Sequence, residues 1–218
     1  MLDDVNVAHV AKKATESRFL NTGQRCTAAK RFIVLKSVAD EFTERFVKDV
    51  RSLKVGDPMN DETDIGPLSS KEQCETIESQ LNDAVRKGAT IACGGTRRKG
   101  TGYFFEPTIV TNGSKRMRVL QEEVFGPLAP VIVVKNEQEA LRIANDTPFG
   151  LSGSVWTNNT EHGEAFAHAI QAGLVCVNKM VISDPLLPFG GTKKSGIGRE
   201  HGKYGIREFT IIKTVIVG

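Results

Sequence analysis

No apolar run in this chain reaches the roughly 18 residues that a membrane-spanning helix requires. The amino-terminal MLDDVNVAH lacks both the basic and the apolar segment of a secretory signal, and together these absences point to the cytoplasm. Neither sign of charge prevails: 29 Lys and Arg stand against 26 Asp and Glu, which argues against a nucleic-acid or membrane partner. The basic clusters, RRK at 97–99 and KRMR at 115–118, lack the interleaved aromatics of a nucleic-acid surface and read as solvated loop or strand edges. Cysteine is scarce. Cys26, Cys74, Cys93 and Cys176 show no paired spacing, so neither a zinc site nor a disulfide framework is expected. His9, His162, His168 and His201 sit in no signature, which weakens a cysteine–histidine hydrolase. A complete GxGxxG is also missing, because GIGREHG at 196–202 has the wrong spacing and follows no clear strand.

What is present is an alternation of elements in a chain long enough for a sizeable core. Residues 5–20 place Val7, Val10, Ala11, Ala14 and Phe19 near one face at helical spacing. RFIVLK (31–36) reads as a strand. Ser37 with Asp40 is expected to cap a helix with Phe42, Phe46, Val50 and Leu53 inward, and Ser69 with Glu72 a second, in which Ile77, Leu81 and Val85 recur and Gly88 supplies the stop. ATIAC (89–93) and FFEPTIVT (104–111) follow as strands, the latter pushed toward an edge or an irregular strand by Pro107. The β-branched APVIVVK (129–135), a helix capped by Asn136 and Glu139, GSVWT (153–157), a helix over about 159–171 and GLVCVN (173–178) complete the pattern. Apolar strands alternating with helices predict an α/β layered domain with a largely parallel sheet flanked by helices.

Cys74 falls in a helical pattern and Cys93 and Cys176 in strand patterns, where cysteine acts as a small buried hydrophobe. Cys26 differs, standing in the polar, glycine-bearing NTGQRCTAAKR (21–31). A glycine-bearing loop would let Cys26 sit near the first turn of a short helix, where free amides and the helix dipole favour a thiolate and Arg25 adds positive potential. Nucleophile and small side chain in a turn both remain open on local context. In the last forty residues glycines punctuate PFGGTKKSGIGREHGKYGIREF, an ordered loop followed by a short turn or helix. The apolar FTIIKTVIV (209–217) is expected to pair, either with a second subunit or with the domain's own sheet.

NTGQRCTAAKR, QEEVFGP (121–127), NDTPFGLSGSVWT (145–157) and LPFGGTKKSGIGREHGKYGIREFTIIKTV (187–215), in this order, resemble the aldehyde dehydrogenase superfamily over essentially the whole chain. SDPLLPFGG with GREHGKYGIREF is most similar to the succinate-semialdehyde dehydrogenase branch. The resemblance implies a catalytic domain over 1–205 and a carboxy-terminal oligomerisation arm over 206–218. It implies Cys26 as the nucleophile toward an aldehyde, Glu123 and Phe125 as contacts to the nicotinamide ribose and ring of NAD or NADP, and Arg25, Ser183 and Phe189 as substrate contacts, with no metal. In the family an amino-terminal Rossmann-like domain carries the adenine contacts and a general-base glutamate; these motifs are absent from the 218 residues, and Glu16 does not match the base motif. Some members that act on succinate semialdehyde carry an arginine just before NTGQ, where this chain has Leu20, a residue better suited to an apolar aldehyde.

Three functions follow. The chain is expected to be the catalytic portion of an NAD(P)-dependent aldehyde dehydrogenase, with succinate semialdehyde a candidate substrate, and to be inactive in NAD(P) reduction alone. Partners would be a small aldehyde, a second copy bound through the terminal strand, or a separate chain carrying the amino-terminal half. The alternatives are a Cys26-dependent esterase or aldehyde binder, and an assembly module without chemistry.

Overall fold

The most apolar strand of the chain, β4 (Leu128–Val134), lies inside a four-stranded sheet, as its near-continuous hydrophobic character requires. The computed structural model describes residues 1–218. Here β4 pairs in parallel with β1 (Phe32–Leu35) and with β3 (Thr108–Thr111), and β3 pairs antiparallel with the edge strand β2 (Thr90–Cys93). Phe32 faces Val131 across the first ladder and Thr108 faces Leu128 across the second.

The strand period of two sorts side chains onto two cores. Phe32, Val34, Ile109, Ala129 and Val131 point to one face, where α1 (Val7–Phe19) and α2 (Lys36–Arg51) pack. Phe19, Phe32, Phe42 and Phe46 form its aromatic centre, with the Phe32 and Phe46 rings 4.9 Å apart. Leu35, Val110, Leu128, Ile132 and Val134 point to the other face, against α3 (Lys71–Arg86) and α5 (Glu137–Asn145). The parallel-dominated α/β sheet with helices on both faces is the architecture expected from the sequence.

Four local expectations are corrected. The second helix starts at Lys36, so Ser37 lies inside it and bonds Asp3 instead of capping. The cap of α3 is Ser70, whose hydroxyl accepts from the Gln73 amide; Gln73 rather than Glu72 holds the third position. Val85 is 42% exposed, while Cys74, Ile77, Leu81 and Ala84 are buried: a strict repeat of four drifts off a 3.6-residue turn, and the 3-4-3 stripe is what faces the core. Pro107 precedes β3, which begins at Thr108 in the sheet interior, since proline has no amide to donate to a ladder.

A second, smaller unit follows α5. There β6 (Ser152–Val155) and β7 (Leu174–Val177) pair in parallel through the crossover helix α6 (Thr160–Ala169), and β5 (Phe149–Gly150) pairs antiparallel with β8 (Thr192–Lys193). The short helices α4 (Arg118–Gln121) and α7 (Gly202–Gly205) complete the set. Asp4 joins the two units: its carboxylate accepts from the Thr157 hydroxyl at 2.7 Å and the Asn158 amide at 2.9 Å. Residues 210–218 form no strand and join no sheet; Ile211, Ile212, Ile216 and Val217 are almost fully exposed. Pairing of this segment with the chain's own sheet is therefore not what the fold adopts.

Candidate active site

Three residues ahead of Cys26 stand consecutively in the left-handed region: Asn21 (φ 54°), Thr22 (φ 58°) and Gly23 (φ 71°). Only the glycine does so without steric cost, and a β-branched threonine there persists only where its surroundings fix it. They do. The Thr22 hydroxyl donates to the Gly66 carbonyl at 3.1 Å, the Gln24 amide donates to the Pro67 carbonyl at 3.3 Å, and Gln24 Oε1 accepts from the Ser69 amide at 2.8 Å. A Cβ on Gly23 would lie 2.5 Å from the Gly126 carbonyl oxygen. Glycine at 23 is thus what lets this loop close onto the segment 122–126.

Cys26 sits in a turn closed by the Ala28 amide donating to the Arg25 carbonyl at 3.2 Å, and no helix begins there. This corrects the expectation of a helix first turn: β1 starts at Phe32, and the few residues between extend directly into it. Thr27 and Ala28 are buried while Cys26 is exposed, so the turn anchors its far half and presents the thiol outward. The Cys26 amide donates to no group of the chain, which leaves it available to an incoming oxygen. Arg25 beside it is half-buried.

Two cations that sequence reading passed over organise the surroundings. The Arg18 side chain is fully buried at the end of α1. Its guanidinium donates to the Ala29 carbonyl at 3.1 Å, to the Val124 carbonyl at 3.1 Å and to the Gly126 carbonyl, so it clips the cysteine loop to the 122–126 segment. Burial weakens its hold on the proton, opposed by Glu123. Lys30 donates to the Arg25 carbonyl at 2.7 Å, stands 3.8 Å from Glu123 Oε1 and lies 5.2 Å from the centre of the Phe125 ring. Burial pushes its ammonium down to about 8, with Arg18 adding to the push and Glu123 and Cys26 opposing it.

The adjacent glutamates of QEEVFGP part company. Glu122 accepts from Arg118 Nε at 2.7 Å and from Gln80 at 3.1 Å, and the Arg118 bond is the main cause holding its carboxyl below the ordinary range. Glu123 is half-exposed and turns to Lys30. Helix α3 fixes the backbone between them: Gln80 donates to the Glu123 carbonyl at 3.1 Å and Gln73 to the Phe125 carbonyl at 2.8 Å. Cys26, Arg25, Glu123 and Phe125 are thereby gathered around Lys30.

Ser183 and Phe189 belong to a different cluster, on the smaller unit. The Ser183 hydroxyl lies 3.3 Å from His201 Nδ1, and the Phe189 and His201 rings are 6.1 Å apart. No hydrogen bond or ring contact joins this cluster to Cys26. A cleft of about 230 Å³ lined by Arg31, Ser114, Leu120, Arg142 and Ile143 lies away from the thiol, as does one of about 350 Å³ near Pro58 and Arg98. No three His, Cys, Asp or Glu side chains are placed to hold a metal ion, and no helix is long and apolar enough to cross a membrane.

The family model for aldehyde dehydrogenases matches residues 1–215 of this chain. The chain belongs to the aldehyde dehydrogenase family. It is 44% identical over 218 residues to the succinate-semialdehyde dehydrogenase [NADP(+)] of Mycobacterium avium, covering all of this chain and 46% of that protein. Among solved structures, succinate-semialdehyde dehydrogenase from Burkholderia pseudomallei is 38% identical with a TM-score of 0.94, over 98% of this chain and 44% of that one. Betaine aldehyde dehydrogenase from Staphylococcus aureus in complex with NAD+ is 37% identical with a TM-score of 0.92, over 95% and 42%. The chain thus spans about half the length of these aldehyde dehydrogenases.

Proposed function

We propose that this chain supplies the nucleophile and the nicotinamide-facing surface of an NAD(P)-dependent aldehyde dehydrogenase that converts an aldehyde to its carboxylic acid. The observation that carries this reading is the outward Cys26 thiol with an unengaged amide, held beside Glu123 and Phe125 by Lys30. The Cys26 sulfur adds to the aldehyde carbonyl, and the oxyanion that forms is met by the Cys26 amide. Glu123, half-exposed and acceptor-only when ionised, fits ribose hydroxyls, and the half-exposed Phe125 ring fits the edge of a nicotinamide. Bound NAD(P)+ supplies the hydride acceptor. With the hydride passed to it, the acyl group would remain on Cys26 as a thioester, and water would release the acid and restore the thiol.

Succinate semialdehyde is the substrate we assign, on the names of the mycobacterial and Burkholderia relatives. Leu20, 55% exposed, offers no cation to its carboxylate, so Arg25 beside the thiol takes that part. The apolar 209–217 segment pairs with a second copy of the chain. A Cys26-dependent esterase is the second reading, favoured by the free Cys26 amide, which needs no cofactor. The test uses the polypeptide that carries this chain, with succinate semialdehyde and NADP+. Cys26→Ala is expected to lower kcat by at least about 10³-fold with the fold intact by circular dichroism. Turnover of the alanine variant at the parent rate would end this reading. Cys26-dependent ester hydrolysis without NADP+ reduction would favour the second.

A further inference from the structure

Lys30, like Arg18, touches both halves of the proposed site, and it does so through the site's own Glu123 and Phe125 side chains. It meets the cysteine turn through the Arg25 carbonyl and the cofactor-facing segment through Glu123 and the Phe125 ring. A buried ammonium without partners is costly, and here three groups share it. Each belongs to a residue of the site or to the neighbour of one. From this geometry we infer that Lys30 is a positioning residue, which sets the Cys26 turn against Glu123 and turns a positive charge toward the cysteine; the inference rests on Cys26 being the nucleophile. The shape of the contacts explains why a point charge on a long stem suits the place: the ammonium donates to a carbonyl while a carboxylate and a ring face stand beside it.

The charged groups that face Lys30 come from three elements: Arg18 at the end of α1, Cys26 in the turn, and Glu123 in the 122–126 segment. Arg18 repels the ammonium, while Glu123 and Cys26 attract it, and burial brings the point at which Lys30 loses its charge to about 8. Below that pH the lysine acts on the cysteine electrostatically. Above it, only the packing of its stem remains.

The experiment follows alkylation of Cys26 by iodoacetamide in the polypeptide that carries this chain, with Cys74, Cys93 and Cys176 replaced by Ala. Lys30→Met is expected to slow alkylation about fivefold at pH 7, with the deficit closing as pH rises past 8. Lys30→Arg should keep at least half the parent rate at pH 7 and hold its advantage over Lys30→Met at pH 9, because arginine stays charged. In steady state Lys30→Met should raise KM for NADP+ several-fold, as Glu123 loses its partner. A Lys30→Met alkylation profile that superimposes on the parent overturns the inference, as does a Lys30→Arg variant indistinguishable from Lys30→Met. Should Lys30→Met fail to fold, Lys30→Gln carries the same comparison. The parent reading fails separately: a Cys26→Ala protein with full turnover would sink the nucleophile assignment, whereas its loss of turnover beside an unchanged Lys30→Met profile would sink only the role of Lys30.

Discussion

At the residue scale, the site depends on Gly23 as much as on Cys26. The left-handed φ of 71° and the 2.5 Å approach of a would-be Cβ to the Gly126 carbonyl act together, and a backbone oxygen cannot swing aside as a side chain does. Gly23→Ala is therefore expected to destabilise by about 2 kcal/mol or more and to lower activity beyond what the loss of folded protein explains. Gly88, also at positive φ, has open space around it, so Gly88→Ala should cost only about 1 kcal/mol with activity unchanged; denaturant melts and turnover of the two variants test the pair. Lys30 adds a signature in pH. Its folded pKa of about 8 lies below its ordinary 10.5, so the unfolded chain holds one more proton between these values. Its contribution to stability then rises with pH across that window and is smallest below 8. The stability difference between Lys30→Met and the parent should shift in the parent's favour from pH 8 to 10.5, read by urea melts at each pH.

These residues also mark where the sequence stops being legible. Cys26 stands out because a cysteine in a polar loop contradicts its usual burial. Nothing local distinguishes Glu122 from Glu123; the Arg118 and Gln80 side chains do so, through a short helix and a long-range contact. Arg18 reads as one more surface cation on a helix, yet it is fully buried because three carbonyls from elsewhere in the chain converge on it. A partner 108 positions away leaves no trace in local periodicity.

At the scale of elements the sequence speaks more directly. The strand β4 and helix α2 follow from runs and periods alone, because burial on both sheet faces demands an apolar strand and burial of one helix face demands a stripe. Errors arise where two signals compete, as with Ser37, a good capping residue drawn into a helix whose start is set by β1 ending at Leu35. Phe46 is the test of the α2 interface. It has no exposed surface and contacts Phe19, Phe32 and Phe42, so Phe46→Ala should cost about 3–5 kcal/mol in a chemical melt. Phe209, 92% exposed, should cost under about 0.5 kcal/mol in the isolated chain when replaced by Ala.

On the scale of the whole molecule, the apolar residues are unevenly distributed. The sheet and its helices bury theirs, whereas Leu186, Ile197, Ile206, Ile211, Ile212 and Ile216 crowd the surface of the last forty residues. A surface of this kind would suit an interface, and an extended apolar segment with free backbone groups is suited to strand addition. Replacing Ile212 and Ile216 by Ser is expected to reduce association at micromolar concentration, measured by sedimentation, while the melting of the four-stranded core stays within about 0.5 kcal/mol of the parent. Association unaffected by the pair would rule out the terminal segment as the joint.

The closure of Gly23 on Gly126 also has a bearing on time. The cysteine loop and the segment it meets lie on opposite sides of β1, α2, α3, β2 and β3 in the chain, and the clip from Arg18 to Gly126 spans 108 positions. Contacts of such separation form late, after the intervening sheet has assembled. During refolding, the native alkylation rate of Cys26 should therefore emerge with the slowest phase, after helical circular dichroism has recovered. A chain still on its way to the native state would then carry an ordinary cysteine, and reactivity would arrive only with the finished fold.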